Sequence, residues 1–219
     1  MVAEPLHAFT DLALGVVAVV LAERLRRTPG VHVHWQSTFW WFGGAALAGA
    51  VHHAVLVRWP QVAEVSWTVI SVLVVVAVSY LLAGTVVEVR GPGRALAFWL
   101  LRSIGVVAYL VTAAAGHAGI AAILACESLT MASVLVLWSW AAYRGHALAP
   151  AMLLAITASG AAAAVKLVSP EVLAPVGLDP TSLYHLAQIV GLVLLYLALG
   201  GAVWAQSSTV ASATQSRVT

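Results

Sequence analysis

Seven stretches of mostly apolar residues, each near twenty long, dominate this chain. They run over 8–26, 36–57, 65–87, 94–115, 119–142, 147–168 and 182–205. At about 1.5 Å of rise per residue, a helix of that length matches a ~30 Å hydrocarbon core. The breaks carry turn chemistry: Arg26-Arg27-Thr28-Pro29-Gly30, Arg58-Trp59-Pro60, Arg90-Gly91-Pro92-Gly93, Gly116-His117-Ala118-Gly119, Arg144-Gly145-His146, and a long connection from Ser169-Pro170 to Asp179-Pro180. No segment alternates as a barrel strand would. The pattern predicts an all-α polytopic membrane protein, a seven-helix bundle over 1–206 with a polar, disordered tail over 207–219.

Charge decides what solvates such a chain. Lys and Arg number 10 and Asp and Glu 8, so 8% of residues are charged. A soluble domain carries about 25%. That excludes a soluble enzyme and a disordered protein. A net charge of +2 is too small to imply a nucleic-acid partner. The expected partners are membrane lipids and a lipid or small-molecule substrate, in a plasma or inner membrane. The single cysteine, Cys126, leaves no intrachain disulfide and no cysteine-based zinc cluster. Glu4 and Asp11 stand where a signal peptide would be basic, so the first span is expected to remain as a helix.

Basic residues stay on the cytoplasmic side. With the N-terminus outside, Arg24, Arg26, Arg27, Arg90, Arg94, Arg144 and Arg217 fall inside, against Arg58 and Lys166 outside. This predicts N-out, C-in. His7, Asp11, His52, His53, Glu64, His117, Asp179, Tyr184, His185 and Gln188 then gather toward the outer leaflet. Intramembrane polar groups usually face the bundle interior and mark function.

Glu4, His7 and Asp11 share one helical stripe. They read as a ligand set with an orienting acid, or as a cap with interfacial residues. Gly49 and His53 share a face of small residues on helix 2, while the adjacent His52 points about 100° away. The pair reads as one functional histidine, His53, with His52 beside it, or as two interfacial histidines. His185 and Gln188 share a face on helix 7, with Tyr184 alongside. Gln188 serves a site or ties two helices. Glu127 needs a partner at mid-depth, and Arg102 is expected to supply a structural ion pair. Tryptophans 35, 40, 41, 59, 67, 138 and 140 read as an interfacial belt.

The helix-2 histidine and the histidine opening helix 7 resemble the alkaline-ceramidase branch of the CREST superfamily of seven-helix membrane hydrolases. The resemblance implies zinc held by one helix-2 histidine and an H-x3-H on helix 7, with a serine four residues before the first histidine and an acid on helix 3. His53, His185 and Glu64 stand at matching positions. Gly49 stands at the serine position and Ile189 at the second helix-7 histidine, so the third ligand falls to His7 or His52.

Three functions follow as expectations. A zinc-dependent hydrolase of a lipid amide or ester would use His7, His53 and His185 as metal ligands and Asp11 or Glu64 as the proton acceptor. A haem-binding redox protein would use two facing histidines as axial ligands. A non-catalytic protein would bind lipid or another ligand in the same pocket.

Overall fold

The computed structural model describes residues 3–117, 120–173, 175 and 177–215, without the side chains at 113, 117, 120, 121, 167, 170 and 202–215. His117 therefore has no described side chain. Helices account for nearly all of the described backbone. They are α1 (Pro5–Arg26), α2 (Val33–Ala54), α3 (Pro60–Arg90), α4 (Ala95–Thr112), α5 (Ile120–Tyr143), α6 (Ala149–Ala164), the single turn α7 (Pro170–Leu173) and α8 (Pro180–Gln215). Proline opens α1, α3, α7 and α8, where its missing N–H costs no intrahelical bond. Gly91 ends α3 at φ 86°, and Gly116 breaks the widened turn after α4 at φ 87°.

These ends differ from the sequence reading at particular places. α3 is longer than expected, 31 residues or roughly 46 Å, because helix geometry runs from Pro60 to Arg90 without a breaker. α6 is shorter, and a tight turn at Val165–Leu167 follows it. The backbone of α8 is helical to Gln215. Residues 216–219 of the expected tail lie outside the described residues, as do the side chains of the rest of it.

The helices pack as a ring. α1 lies on α2, α2 on α3, α3 on α5, α5 on α6, α6 on α8, and α8 returns to α1. α4 stands outside this ring, mainly against α5. Inside lie Leu25, Phe39, Leu82, Val86 and Met152 with Trp35 and Trp138. Those two tryptophans correct the belt reading: both are fully buried, and Trp138 Nε1 donates to Thr85 Oγ1 at 3.2 Å. Their placement near span ends hid the fact that they face inward.

α4 shows the surface chemistry most plainly. Its buried residues are Arg102 and Gly105, while Leu96, Trp99 and Leu100 are 72%, 65% and 60% exposed. A helix in water does the reverse. Arg102 Nη1 donates to Thr130 Oγ1 at 2.7 Å, and its Nη2 lies 3.6 Å from Glu127 Oε1. Among the described residues, five helical stretches are each long and apolar enough to cross a membrane: Pro5–Arg26, Pro60–Arg90, Ala95–Gly116, Ala122–Tyr143 and Pro180–Gly201.

Candidate functional site

The polar residues of α1, α2 and α8 meet at one end of the ring. Backbone bonding sets the first contact. The last carbonyls of a helix have no intrahelical partner, and those of His53 and Ala54 accept from the amides of Glu4 and Ala3 at 3.0 and 3.1 Å. The residues preceding α1 are thus tied to the end of α2, which sets Glu4 beside His53.

Glu4 Oε2 lies 2.5 Å from His53 Nδ1 and 3.2 Å from His7 Nδ1. One carboxylate oxygen therefore faces two imidazoles, whose ring centroids are 5.0 Å apart. Burial alone raises the Glu4 carboxyl, but hydrogen bonds from His7 and His53 outweigh it and hold the group below the usual carboxylate range.

The second nitrogen of each ring has its own carboxylate. His7 Nε2 donates to Asp179 Oδ1 at 2.8 Å. Asp179 also caps α8, accepting from the Thr181 and Ser182 amides at 2.9 and 3.0 Å and from Ser182 Oγ at 2.6 Å. Burial raises this acid too, yet the Ser182 and His7 bonds more than offset it and hold it well below its ordinary value. His53 Nε2 lies 3.8 Å from Asp11 Oδ2.

Asp11 is buried, 5% exposed, and Gly49 makes room for it. A Cβ at Gly49 would stand 2.6 Å from Asp11 Oδ2. The other Asp11 oxygen lies 3.3 Å from His185 Nε2. His185 Nδ1 donates to Thr10 Oγ1 at 3.0 Å, while that hydroxyl donates to the Leu6 and His7 carbonyls at 3.1 Å each. With Nδ1 donating, a neutral His185 turns the lone pair of Nε2 toward Asp11. The result is an alternating string: Asp179, His7, Glu4, His53, Asp11, His185.

The site residues read from sequence divide accordingly. His7, Asp11, His53 and His185 are brought together, but as a chain rather than around one point. His53 and His185, the pair that would bracket a haem, approach different oxygens of Asp11. His185 stands apart from the group whose ligand atoms lie within 4.8 Å of one another, namely Glu4, His7 and His53. His52 turns to α3, where its Nδ1 pairs with Ser66 Oγ at 3.2 Å and its ring meets Trp67. Gln188 Nε2 donates to the Ser159 carbonyl of α6 at 3.2 Å. Tyr184 carries Lys166 Nζ over its ring at 4.4 Å. Glu64 is exposed on the first turns of α3; Thr68 Oγ1 donates to its carbonyl, and its carboxylate makes no ion pair among the described residues. Sequence reasoning missed Thr10 and Ser182, and it set Asp179 toward the outer leaflet without naming its partners. The Asp179-x2-Ser182 spacing was the available signal for the cap, and nothing in the sequence pointed to Thr10.

Three ligand atoms in that span are compatible with a tetrahedral metal, whose ligands stand about 3.4 Å apart on ~2.1 Å bonds. Metal-bound histidines normally hand their other N–H to a carboxylate; His7 has Asp179 there at 2.8 Å, while His53 Nε2 stands 3.8 Å from Asp11, beyond hydrogen-bond distance. No curated protein and no solved structure matches the chain. A family profile matches residues 6–202, and by that match the chain belongs to DUF6962, a family of unknown function.

Proposed function

We propose that this chain is an integral membrane protein with seven spans, α1–α6 and α8, and an outer N-terminus. On this reading it binds zinc through Glu4, His7 and His53 and hydrolyses a lipid amide or ester at the outer leaflet. The five long apolar helices support the membrane reading. α2, at 22 residues, and α6 with its following turn are packed among them. The bias of seven basic residues to two supports the orientation.

The observation that carries the metal reading is the histidine pair that meets at Glu4. Two imidazoles turn Nδ1 to one glutamate oxygen, and each has a further carboxylate on the Nε2 side. Two histidines and one glutamate leave a fourth tetrahedral position open, as catalytic zinc sites do. The metal would supply acidity, lowering the pKa of bound water from 15.7 toward ~7. Asp179 fixes the His7 ring, and Asp11 stands on the side of His53 opposite Glu4. Asp11 is therefore a positioning residue rather than the proton acceptor expected from sequence. Glu64, out on the α3 surface, is not placed for that role either. Glu4, the more exposed member of the cluster, is the carboxylate that solvent and substrate reach. The substrate class rests on the resemblance to the alkaline-ceramidase branch and on the site's place at helix ends, where headgroup amides and esters lie.

The test is zinc content of the detergent-purified full chain after equilibration with zinc and desalting. The expected result is about one zinc per chain, lost in His7→Ala and His53→Ala and retained in His185→Ala. Wild-type protein without stoichiometric zinc would overturn the metal reading. Zinc-loaded protein that cleaves neither lipid amides nor lipid esters would overturn the hydrolase reading alone.

A further inference from the structure

The opposite end of the bundle holds a cleft of about 490 Å³, where α2 begins, α3 ends and α4 begins. That volume falls within the range of small-molecule sites. Its lining has two characters. Val86, Val87 and Phe98 form an apolar wall, His32 and His34 bring ring nitrogens, and Arg94 brings positive charge. No carboxylate is among the described residues that line it.

The donors are available to a ligand. His34 Nδ1 is buried and has no hydrogen-bond partner among the described residues. An unsatisfied buried polar atom is costly, so a group that bonds it is favoured. His32 Nδ1 accepts the His34 amide at 3.3 Å, which places the proton of its neutral ring on Nε2. Of the other arginines at this end, all but the exposed Arg24 are engaged. Arg26 and Arg27 bind Glu23, and Arg90 and Arg144 lie over the Trp140 ring at 5.2 and 5.9 Å. Arg94 makes no ion pair among the described residues.

We propose that this cleft seats an anionic phospholipid, with its phosphate against Arg94, His32 and His34 and its first methylenes along Phe98 and Val87. Two observations favour a lipid over a free anion. The apolar wall has nothing to bind in inorganic phosphate. It also adjoins Trp99, whose ring centroid lies 5.0 Å from that of Phe98 and which is 65% exposed, so an acyl chain can follow it outward. The inference is independent of the metal reading, since the two sites occupy opposite ends of α2.

The experiment titrates the full chain in dodecyl maltoside with dioctanoyl phosphatidylglycerol, dioctanoyl phosphatidylcholine or inorganic phosphate, and reads thermal unfolding and Kd. The phosphatidylglycerol is expected to give a saturable rise in Tm that the other two do not. Arg94→Gln should weaken it by about tenfold or more, as loss of a charge-assisted bond does. Ala83→Leu, which fills the cleft from α3, should weaken it too without touching a charge. Binding unchanged in both variants would overturn the proposal. Equal shifts from phosphatidylcholine would remove the charge argument, and an equal shift from inorganic phosphate would replace the lipid with a free anion.

Discussion

Gly49 is the position where the fit of the polar string can be measured. In Gly49→Ala the new methyl would stand 2.6 Å from Asp11 Oδ2 and 3.0 Å from Asp11 Cγ. Both are closer than van der Waals contact, and Asp11 is buried between His53 and His185. Overpacking of this kind costs about 1–3 kcal/mol. Against it stands helix propensity, since alanine in place of glycine in a helix interior gains roughly 1 kcal/mol. The net expectation in the wild-type background is a loss of about 0–2 kcal/mol. Asp11→Ala removes the atoms that the methyl would strike. In that background only the propensity gain remains, so Gly49→Ala should stabilise by up to about 1 kcal/mol. The double-mutant cycle should therefore show a coupling of about 1–3 kcal/mol, and a change of sign wherever overpacking exceeds the propensity gain. Thermal unfolding of all four proteins in one detergent, at one scan rate, is the assay. Equal effects of Gly49→Ala in both backgrounds would refute the close approach of α1 and α2 at this point.

Arg102→Met should cost about 3–5 kcal/mol, because it leaves Glu127 buried without a counter-charge, and the double replacement Arg102→Met with Glu127→Leu should recover most of that loss. Thermal stability in detergent separates the two outcomes. Asp179 is held below its ordinary value in the folded protein, so its stabilisation is present above the usual aspartate pKa of ~3.9 and disappears as pH falls through the depressed value. Asp179→Asn keeps a capping oxygen and should flatten the fall in Tm between about pH 5 and pH 2, a change that a pH series of melts would read. Arg27→Cys in a Cys126→Ser background should resist impermeant maleimides in intact cells, and ready labelling would reverse the proposed orientation.

The helices were legible because their signals are local. A run of apolar residues, a proline at the first turn and a glycine at the end are read from neighbours in sequence. Pro5, Pro60 and Pro180 each open a helix, and Arg90-Gly91 closes one. What a local pattern cannot supply is the rotation of each helix about its axis. Trp35 and Trp138 sit near span ends as an interfacial belt would, yet they face the core. His52 and His53 were expected to diverge because successive residues differ by 100°. The geometry shows where they go, one to Ser66 of α3 and the other to Glu4 ahead of α1.

The composition of the string follows from how the helix stripes meet. Each stripe offers one kind of partner in order: Glu4, His7 and Asp11 descend α1, His53 ends α2, and Asp179 and His185 open α8. When three helix ends meet, their stripes interleave, and acids fall between imidazoles. Alternation places every imidazole next to a carboxylate, which is how neighbouring charges would be balanced where water is scarce. It also separates the histidines. A site that gathers three imidazoles around one point needs the acids moved behind them. Here an acid stands between each neighbouring pair along the string. A metal bound in this string would therefore take a glutamate into its coordination sphere. On the proposed reading, Glu4 and not His185 would be the third ligand beside His7 and His53.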